Sequence, residues 1–233
     1  MVVHPSARFA DAESAWDNWQ QTRFDYKKEA LLSWQQQLYP FRIELAQVMQ
    51  YQLTHSENTV AKIHHLVGPT GETNELYTTG RGVTLLIQKD VSENAQKATV
   101  AQCTAALSAG NCVIICSDDI EFLNQLNETY EQSMLPSNLL ITLPFESYDS
   151  VLESDVRNVG LIGNKEMEVA LNRALAERSG AMVSLVCETD LTELPVTRDP
   201  NLVLRFITER TRTINITAVG GNANLLELGS STH

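Results

Sequence analysis

The sequence predicts an α/β fold: a doubly wound, mostly parallel, Rossmann-like three-layer sandwich with N-terminal helices and a small β-flap. From residue 83 onward, short runs rich in β-branched and other apolar residues alternate with helical segments. These runs are almost continuously apolar, which is typical of parallel strands covered on both faces. The chain has 233 residues, the length of one large domain, so we interpret 1–233 as a single unit.

Residues 10–55 form the predicted helical N-terminal part. A short amphipathic stripe comes first, made of Ala12, Ala15, Trp16 and Trp19. A longer seam alternates spacings of three and four, through Leu31, Trp34, Leu38, Phe41, Leu45 and Val48. Pro40 lies within this seam and should kink or split the helix, because it lacks a backbone N–H. We expect both stripes to pack on the rest of the domain.

The second part of the chain contains the predicted sheet. Its strands are Val83–Ile87, Cys112–Cys116, Asn138–Leu143, Asn158–Ile162 and Ala181–Cys187. The helices between them are expected near 92–108, 119–132, 146–153 and 165–178. Right-handed crossovers through these helices would cover both faces of a parallel sheet.

Two segments, 66–82 and 209–229, depart from this alternation. The first has closely spaced glycines, which predict a turn followed by an extended segment. In the second, Arg212–Thr217 alternates polar and apolar residues, and Gly220-Gly221-Asn222 predicts a sharp turn before another strand, Ala223–Leu228. We interpret both segments as strands of a flap that projects from the sandwich.

The composition argues against several classes of function. Asp and Glu number 29 against 17 Lys and Arg, and this net charge of −12 would repel a nucleic acid. The strongly apolar runs, such as Cys112–Cys116, fall far short of the roughly 18 residues of a membrane span. The N-terminus has no apolar core typical of a signal peptide. Four cysteines in a chain of this size favour a reducing compartment, so we expect a cytoplasmic protein.

No metal site is expected. Cys112 and Cys116 would lie on one face of a strand, about 13 Å apart at the usual rise per residue. That separation is too great for them to share one ion or to form a disulfide. His64 and His65 are adjacent, so their side chains diverge.

Four segments resemble, in their order, the nucleotide half of an aldehyde dehydrogenase. They are 68–87, 105–119, 135–144 and 159–170. The closing segment, ERTRTINITAVGGNANLLELG at 209–229, resembles the C-terminal motif of the bifunctional proline utilisation A flavoproteins. Those proteins join proline dehydrogenase to 1-pyrroline-5-carboxylate dehydrogenase, and their longer members carry a C-terminal aldehyde dehydrogenase-like domain without a catalytic cysteine. The present chain resembles that non-catalytic domain from about residue 10 to 229.

The resemblance implies that the catalytic residues are missing. An aldehyde dehydrogenase needs a thiolate nucleophile, a glutamate base and a held nicotinamide. The family nucleophile lies a few dozen residues beyond the glutamate, on a separate catalytic domain. The matching glutamate here is Glu188, and no cysteine follows Cys187. Asp190 and Leu191 replace the glycine pair that accompanies the glutamate, so we expect Glu188 to be a strand-end residue and not a base.

The positions that would hold NAD have also changed. The family strand that matches 112–116 ends with a lysine that contacts the adenosine ribose, whereas this chain has Cys116 and Ser117. The glycine-rich loop that would approach the pyrophosphate keeps Gly163, followed by Asn164, but has Glu168 in place of its last glycine. Acidic residues in the first helical turn already supply the negative charge that a helix N-terminus attracts. We therefore expect no cofactor.

Three hypotheses of function follow. The first is a non-catalytic module of proline catabolism that docks on or covers proline utilisation A, or a separate 1-pyrroline-5-carboxylate dehydrogenase, or a second copy of itself. The second is an NAD-binding oxidoreductase related to 1-pyrroline-5-carboxylate dehydrogenase, and the third is a self-associating structural protein unconnected with proline. The first predicts an interface formed by Arg212, Ile214, Asn215, Ile216, Gly220, Gly221 and Asn222.

Overall fold

The computed structural model describes residues 5–69 and 71–215. Three helices come first, namely α1 (Pro5–Trp19), α2 (Phe24–Leu38) and α3 (Ile43–Val60). Pro40 lies in the turn between α2 and α3, which confirms the predicted split of the long seam. The prediction that Phe41 belongs to the buried seam is wrong, since its side chain is 70% exposed. The turn moves Phe41 out of the helical register that buries Leu38 and Leu45.

The remaining elements, in chain order, are β1 (His64–Leu66), β2 (Glu72–Gly80), β3 (Val83–Gln88), α4 (Glu93–Ala109), β4 (Cys112–Ser117), α5 (Ile120–Glu131), β5 (Leu140–Leu143), α6 (Tyr148–Leu152), β6 (Asn158–Ile162), α7 (Lys165–Glu177), β7 (Ser184–Glu188) and β8 (Ile207–Asn215). Five strands form one parallel sheet in the order β5-β4-β3-β6-β7. The strand order reverses between β3 and β6, so the fold is the predicted doubly wound α/β sandwich.

Helix α4 occupies the centre of one helical layer. It is rich in alanine, almost completely buried, and packs on β3, β4 and β6 as well as on α2 and α3. Its start is capped by Ser92, whose hydroxyl accepts a hydrogen bond from the N–H of Ala95 at 3.3 Å. Its end is Gly110, whose φ of 94° favours glycine. Helices α1 and α6 cover the opposite face of the sheet.

The flap is a three-stranded antiparallel sheet in the order β1-β2-β8. Strand β8 pairs with β2 along its whole length, from Ile207 opposite Gly80 to Asn215 opposite Glu72. The two segments predicted to form a flap therefore do pair, but β8 begins five residues earlier than the predicted start at Arg212. The earlier start has a physical reason, since Ile207 is buried against the core. The predicted turn at Gly220 and the strand Ala223–Leu228 lie outside the described residues.

A single buried side chain, Asn111, joins the flap to the sandwich. Its carboxamide oxygen accepts hydrogen bonds from the N–H groups of Arg81 and Gly82, at 2.7 and 3.1 Å. Its NH2 group donates to the carbonyl oxygens of Ala106 and Phe206, at 3.0 and 2.9 Å. The side chain thus connects the turn before β3, the end of α4 and the residue before β8.

The backbone approaches itself closely at the same junction. A Cβ atom at Gly80 would clash with the backbone of Gly110 and would lie 2.7 Å from the backbone nitrogen of Asn111. Since backbone atoms cannot move aside as a flexible side chain can, only glycine is compatible with this contact.

We expect Asn111→Ala to lower the free energy of unfolding by roughly 2–4 kcal/mol, because it leaves buried N–H and C=O groups without partners. Urea denaturation of the full chain measures this loss. The control is Asn18→Ala, which removes one exposed hydrogen bond of 3.4 Å and should change stability by less than about 0.5 kcal/mol. Equal effects of the two variants would contradict a central role for Asn111.

Candidate functional site

In this fold class a ligand is expected at the carboxyl ends of the strands, in the crevice where the strand order reverses. Here that crevice lies between the ends of β3 and β6. Lys89 follows β3, and its backbone N–H donates to the carbonyl of Ile162 at 2.8 Å. Its ammonium lies 4.4 Å from the ring centroid of Phe145, which follows β5. The charge of Lys89 is therefore directed toward the β5 side of the edge.

Gly163 has a packing role at this edge. A Cβ atom there would lie 3.3 Å from the Cβ of Lys89 and 3.4 Å from the Cδ1 of Leu161. The absence of a side chain lets the two strand ends pack against each other. The glycine at this position thus has a structural explanation that does not need a bound pyrophosphate.

The end of β4 is acidic. Cys116 was predicted to end this strand, but the strand continues to Ser117, and Cys116 is fully buried in it. The next residues are Asp118, which accepts a hydrogen bond from the N–H of Phe145 at 3.2 Å, and Asp119, which caps α5. Directly after Cys116 and Ser117, where the resemblance would require a lysine for the adenosine ribose, this chain has two carboxylates that bind the chain's own backbone.

The start of α7 is already satisfied by its own side chains. Asn164 caps the helix, and its Oδ1 accepts a hydrogen bond from the N–H of Met167 at 2.9 Å. Glu168 pairs with Lys165, with 2.7 Å between Nζ and Oε2. Lys165 thus pairs with one of the two acidic side chains of this first turn, Glu166 and Glu168. Asn164 and Lys165, two polar side chains at this edge, therefore already have partners within the protein.

Glu188 is a buried strand-end residue. Its Oε2 accepts hydrogen bonds from the backbone N–H and the hydroxyl of Thr197, at 2.8 and 3.0 Å. Its Oε1 has no partner among the described residues. Burial raises the pKa of this carboxyl, and the hydrogen bonds from Thr197 oppose that increase. Glu188 thus holds the loop after β7 in place.

The cysteines provide no activated thiolate. Burial raises the pKa of Cys103 and of Cys112 far above the usual range, and raises that of Cys116 to about 12. Cys187 is half-buried, and burial together with the charge of Glu168 raises its pKa to about 12. A thiol with such a pKa is protonated at neutral pH and is a poor nucleophile.

A cleft of about 660 Å³ lies between α3, the start of α4 and residues 192–198. Several of its polar groups are paired within the protein. Lys97 forms an ion pair with Glu44 at 2.6 Å, and the hydroxyl of Tyr51 donates to the carbonyl of Arg198 at 2.9 Å. The paired groups in this cleft connect neighbouring structural elements, and its lining carries both acidic and basic side chains. The lining therefore does not favour a particular class of ligand.

The predicted interface lies partly on β8. Arg212 donates from Nε to Glu75 on β2 at 2.9 Å, and its guanidinium lies 5.9 Å from the ring centroid of Tyr77. Ile214 is 47% exposed, and Asn215 is the last residue of the strand. In the described part of the chain β8 pairs with β2 alone, so it forms an edge of the flap. The predicted residues Ile216, Gly220, Gly221 and Asn222 lie outside the described residues.

Within residues 5–69 and 71–215, no helix is both long enough and apolar enough to cross a membrane. The same residues contain no group of three or more His, Cys, Asp and Glu side chains arranged to hold a metal ion.

No protein-family model matches this sequence, and no curated protein matches it significantly. Solved structures do match. A proline utilization A variant from Bradyrhizobium japonicum is 24% identical over 81% of this chain and 22% of its own, with a TM-score of 0.70. Proline utilization A from Bdellovibrio bacteriovorus, inactivated by N-propargylglycine, is 16% identical over 81% of this chain and 23% of its own, with a TM-score of 0.68.

A smaller protein matches the same fold. The 1-pyrroline-5-carboxylate dehydrogenase from Thermus, solved with bound NAD, is 16% identical over 79% of this chain and 42% of its own, with a TM-score of 0.68. The chain therefore spans about a fifth of the proline utilization A proteins and less than half of this dehydrogenase. At these identities the similarity shows a shared aldehyde dehydrogenase-like fold.

Sequence reasoning missed two partners at the strand ends. Lys165 stands three residues before Glu168 on one helix, a spacing that indicates an ion pair. Thr197, which binds Glu188, follows it after an irregular loop, and no sequence pattern points to that contact.

We expect Glu188→Gln to raise the free energy of unfolding at pH 7 by about 1 kcal/mol, because burying a neutral amide costs less than burying a carboxylate. The raised pKa means that the carboxyl contributes fully to stability below its unfolded pKa and loses that contribution as pH rises through its folded pKa. The variant should therefore decline less in stability between pH 4 and pH 7.

Urea denaturation across this pH range measures both effects, with the exposed Glu193→Gln as a control for the loss of one charge. A lower stability of Glu188→Gln at pH 7 would show that the protein needs the charged carboxylate.

Proposed function

We propose that this chain is a non-catalytic module with an aldehyde dehydrogenase-like fold that serves proline catabolism by docking on another protein. The observation that carries the proposal is the connection between β7 and β8. Residues 189–206 alone join the end of β7 to the flap strand β8. The resemblance places the catalytic domain of an aldehyde dehydrogenase beyond the glutamate at the end of β7. This internal connection is far too short for such a domain.

The strand ends support the same proposal. The thiols are buried or protonated, Glu188 is engaged with Thr197, and the start of α7 is capped. Cys116, Glu188 and the start of α7 stand where the resemblance would require catalytic or NAD-binding residues, and each is instead part of the packing or hydrogen bonding of this chain. The four cysteines form no disulfide, which is consistent with a reducing, cytoplasmic location.

The partner in this proposal is proline utilization A, a 1-pyrroline-5-carboxylate dehydrogenase or a second copy of the chain. The docking element is β8, which is an edge strand among the described residues and is exposed on both faces beyond its second residue. An edge strand can add to the sheet of a partner through its backbone groups, and the exposed Ile214 would contribute apolar contact. Arg212 and Glu75 form an ion pair on the flap surface. This pair would keep β8 in register with β2.

The second candidate function is an NAD-binding oxidoreductase. The observation in its favour is Gly163 at the switch point of a fold that also occurs in a dehydrogenase solved with bound NAD. The packing of Gly163 against Lys89 and the acidic end of β4 argue against it.

We expect the purified chain to form no NADH from NAD with 1-pyrroline-5-carboxylate or with simple aldehydes. The physical reason is that no described cysteine can provide a thiolate at neutral pH. Absorbance at the NADH band measures turnover, and calorimetry measures NAD binding, which should be weaker than about 1 mM. NADH formation by the unmodified chain would favour the second candidate, whether or not Cys187→Ser abolishes it. Micromolar affinity for NAD would favour the second candidate too.

We expect Ile214→Lys to weaken association with the partner, because a charged side chain on an edge strand opposes strand addition. Light scattering of the chain, alone and with a purified 1-pyrroline-5-carboxylate dehydrogenase or proline utilization A, measures assembly. The matched control is Met182→Lys, which places the same charge at an apolar residue that is 97% exposed and lies outside the flap. Unchanged assembly in Ile214→Lys, or no assembly of the unmodified chain, would contradict docking through β8.

A further inference from the structure

Another cavity, which we call the Lys27 cavity, has a volume of about 780 Å³. It lies between the start of α2, the end of α3, the end of α4 and the flap strand β2. Since the end of α4 leads into β4, this cavity is at the amino-terminal edge of the sheet, opposite the strand ends described above. Its volume is within the range of small-molecule sites, about 300–1,000 Å³.

Lys27 lines this cavity although it is only 7% exposed. Its ammonium lies 5.8 Å from the ring centroid of Trp19 and close to Gly110 at the end of α4. No hydrogen bond or ion pair of this ammonium is found among the described residues. Burial lowers its pKa to about 8. The protein therefore buries a cation without pairing it with a carboxylate.

Two hydroxyl groups at the same wall also lack partners. Ser108, on α4, is 2% exposed, and Thr79 is on β2. The Oγ of Ser108 and the Oγ1 of Thr79 have no hydrogen-bond partner among the described residues. Buried hydroxyls without partners are uncommon in folded proteins, and a polar ligand is one explanation for them.

Positive charge exceeds negative charge around the cavity. Besides Lys27, its lining includes the cations Arg23, Lys62 and Arg212 and the carboxylate Asp25. Arg23 pairs with Asp25 at 3.5 Å, and Arg212 pairs with Glu75, so Lys27 and Lys62 have no acidic partner in the described residues. This excess is local, because the whole chain has a net charge of −12.

Two further features of the lining suit an anion that carries an apolar body. Helix α2 begins at the cavity, and its first turn has no side-chain cap but contains Asp25, so the positive dipole end is only partly balanced by a carboxylate that already pairs with Arg23. The lining also contains apolar and aromatic side chains, which are Phe24, Val60, Ile63 and Tyr77.

We propose that the Lys27 cavity binds a small organic anion, whose carboxylate or phosphate group lies against the Lys27 ammonium and the hydroxyl of Ser108. The anion neutralises a buried cation and supplies an acceptor to a buried donor. Its apolar body lies against Tyr77 and Val60. This site is separate from the strand ends where a dinucleotide would lie, and it shares Arg212 with the flap strand β8.

A purely structural role for Lys27 predicts a different result. Its ammonium is close to Gly110, and a cation at the end of a helix favours the negative end of the helix dipole. In that case Lys27 would stabilise α4, and added anions would bind no better to the unmodified chain than to a variant without Lys27.

The experiment titrates the full chain with sodium phosphate and, separately, with sodium butyrate at pH 7, and measures binding by calorimetry. We expect at least one probe to bind, and Lys27→Met to weaken that binding roughly tenfold or more. Lys28→Met is the matched control, because Lys28 is the next residue of the same helix but pairs with Glu57 and does not line this cavity. Binding of phosphate alone would assign a phosphate group, and binding of butyrate would assign a carboxylate with an apolar body.

A second variant and a pH series complete the test. Ser108→Ala should also weaken binding, which keeps the test decisive if Lys27→Met does not fold by circular dichroism. Butyrate affinity should fall by roughly tenfold between pH 7 and pH 9 as Lys27 loses its proton, and Lys27→Met should abolish this dependence. Failure of both probes to bind below about 10 mM, or equal losses in Lys27→Met and Lys28→Met, would overturn the proposal.

Discussion

The carboxamide of Asn111 is the interaction on which the arrangement of this protein depends. Four backbone groups from three separate parts of the chain converge on one buried side chain. An asparagine suits the position because it offers both an acceptor and two donors, whereas an aspartate would offer acceptors alone. The flap strand β8, the end of α4 and the entry into β3 are therefore positioned together. The junction thereby also positions the exposed edge of β8 and the end of α4, which forms one wall of the Lys27 cavity.

The carboxyl edge of the sheet differs from a ligand site in the way its polar groups are used. Asn164 caps α7, Asp119 caps α5, and Glu188 holds the loop through Thr197. A binding site keeps such groups available, since a ligand must replace water and not an internal hydrogen bond. At the opposite edge, Lys27 and Ser108 are buried without such partners. At the carboxyl edge most of these polar groups bind other parts of the chain, although the Oε1 of Glu188 has no partner there, whereas at the opposite edge a buried cation and a buried hydroxyl are unpaired in the described residues.

Much of the fold could be predicted because its signals are local. Val83–Gln88 and Cys112–Ser117 are mostly apolar, and Gly110 ends α4 as a left-handed residue. The position of Cys112 and Cys116 in a strand could be predicted too, since both belong to a short apolar run. Contacts between distant residues could not. Asn111 stands next to a strand without any distinguishing pattern, and Lys27 resembles any other charged residue of an amphipathic helix, so their burial depends on three-dimensional packing alone.

The pairing of β2 with β8 also affects how the chain must be made. Gly80 and Ile207 are neighbours in the flap but lie far apart in the sequence, with the whole parallel sheet between them. A ribosome adding about 5–20 residues per second would take on the order of ten seconds to make the intervening segment. Throughout that time the nascent chain carries β2 without its main partner, and unpaired strands are prone to aggregate. Completion of the flap is therefore a late event in biogenesis, and until then the short strand β1 is the one described neighbour of β2 that has already been made.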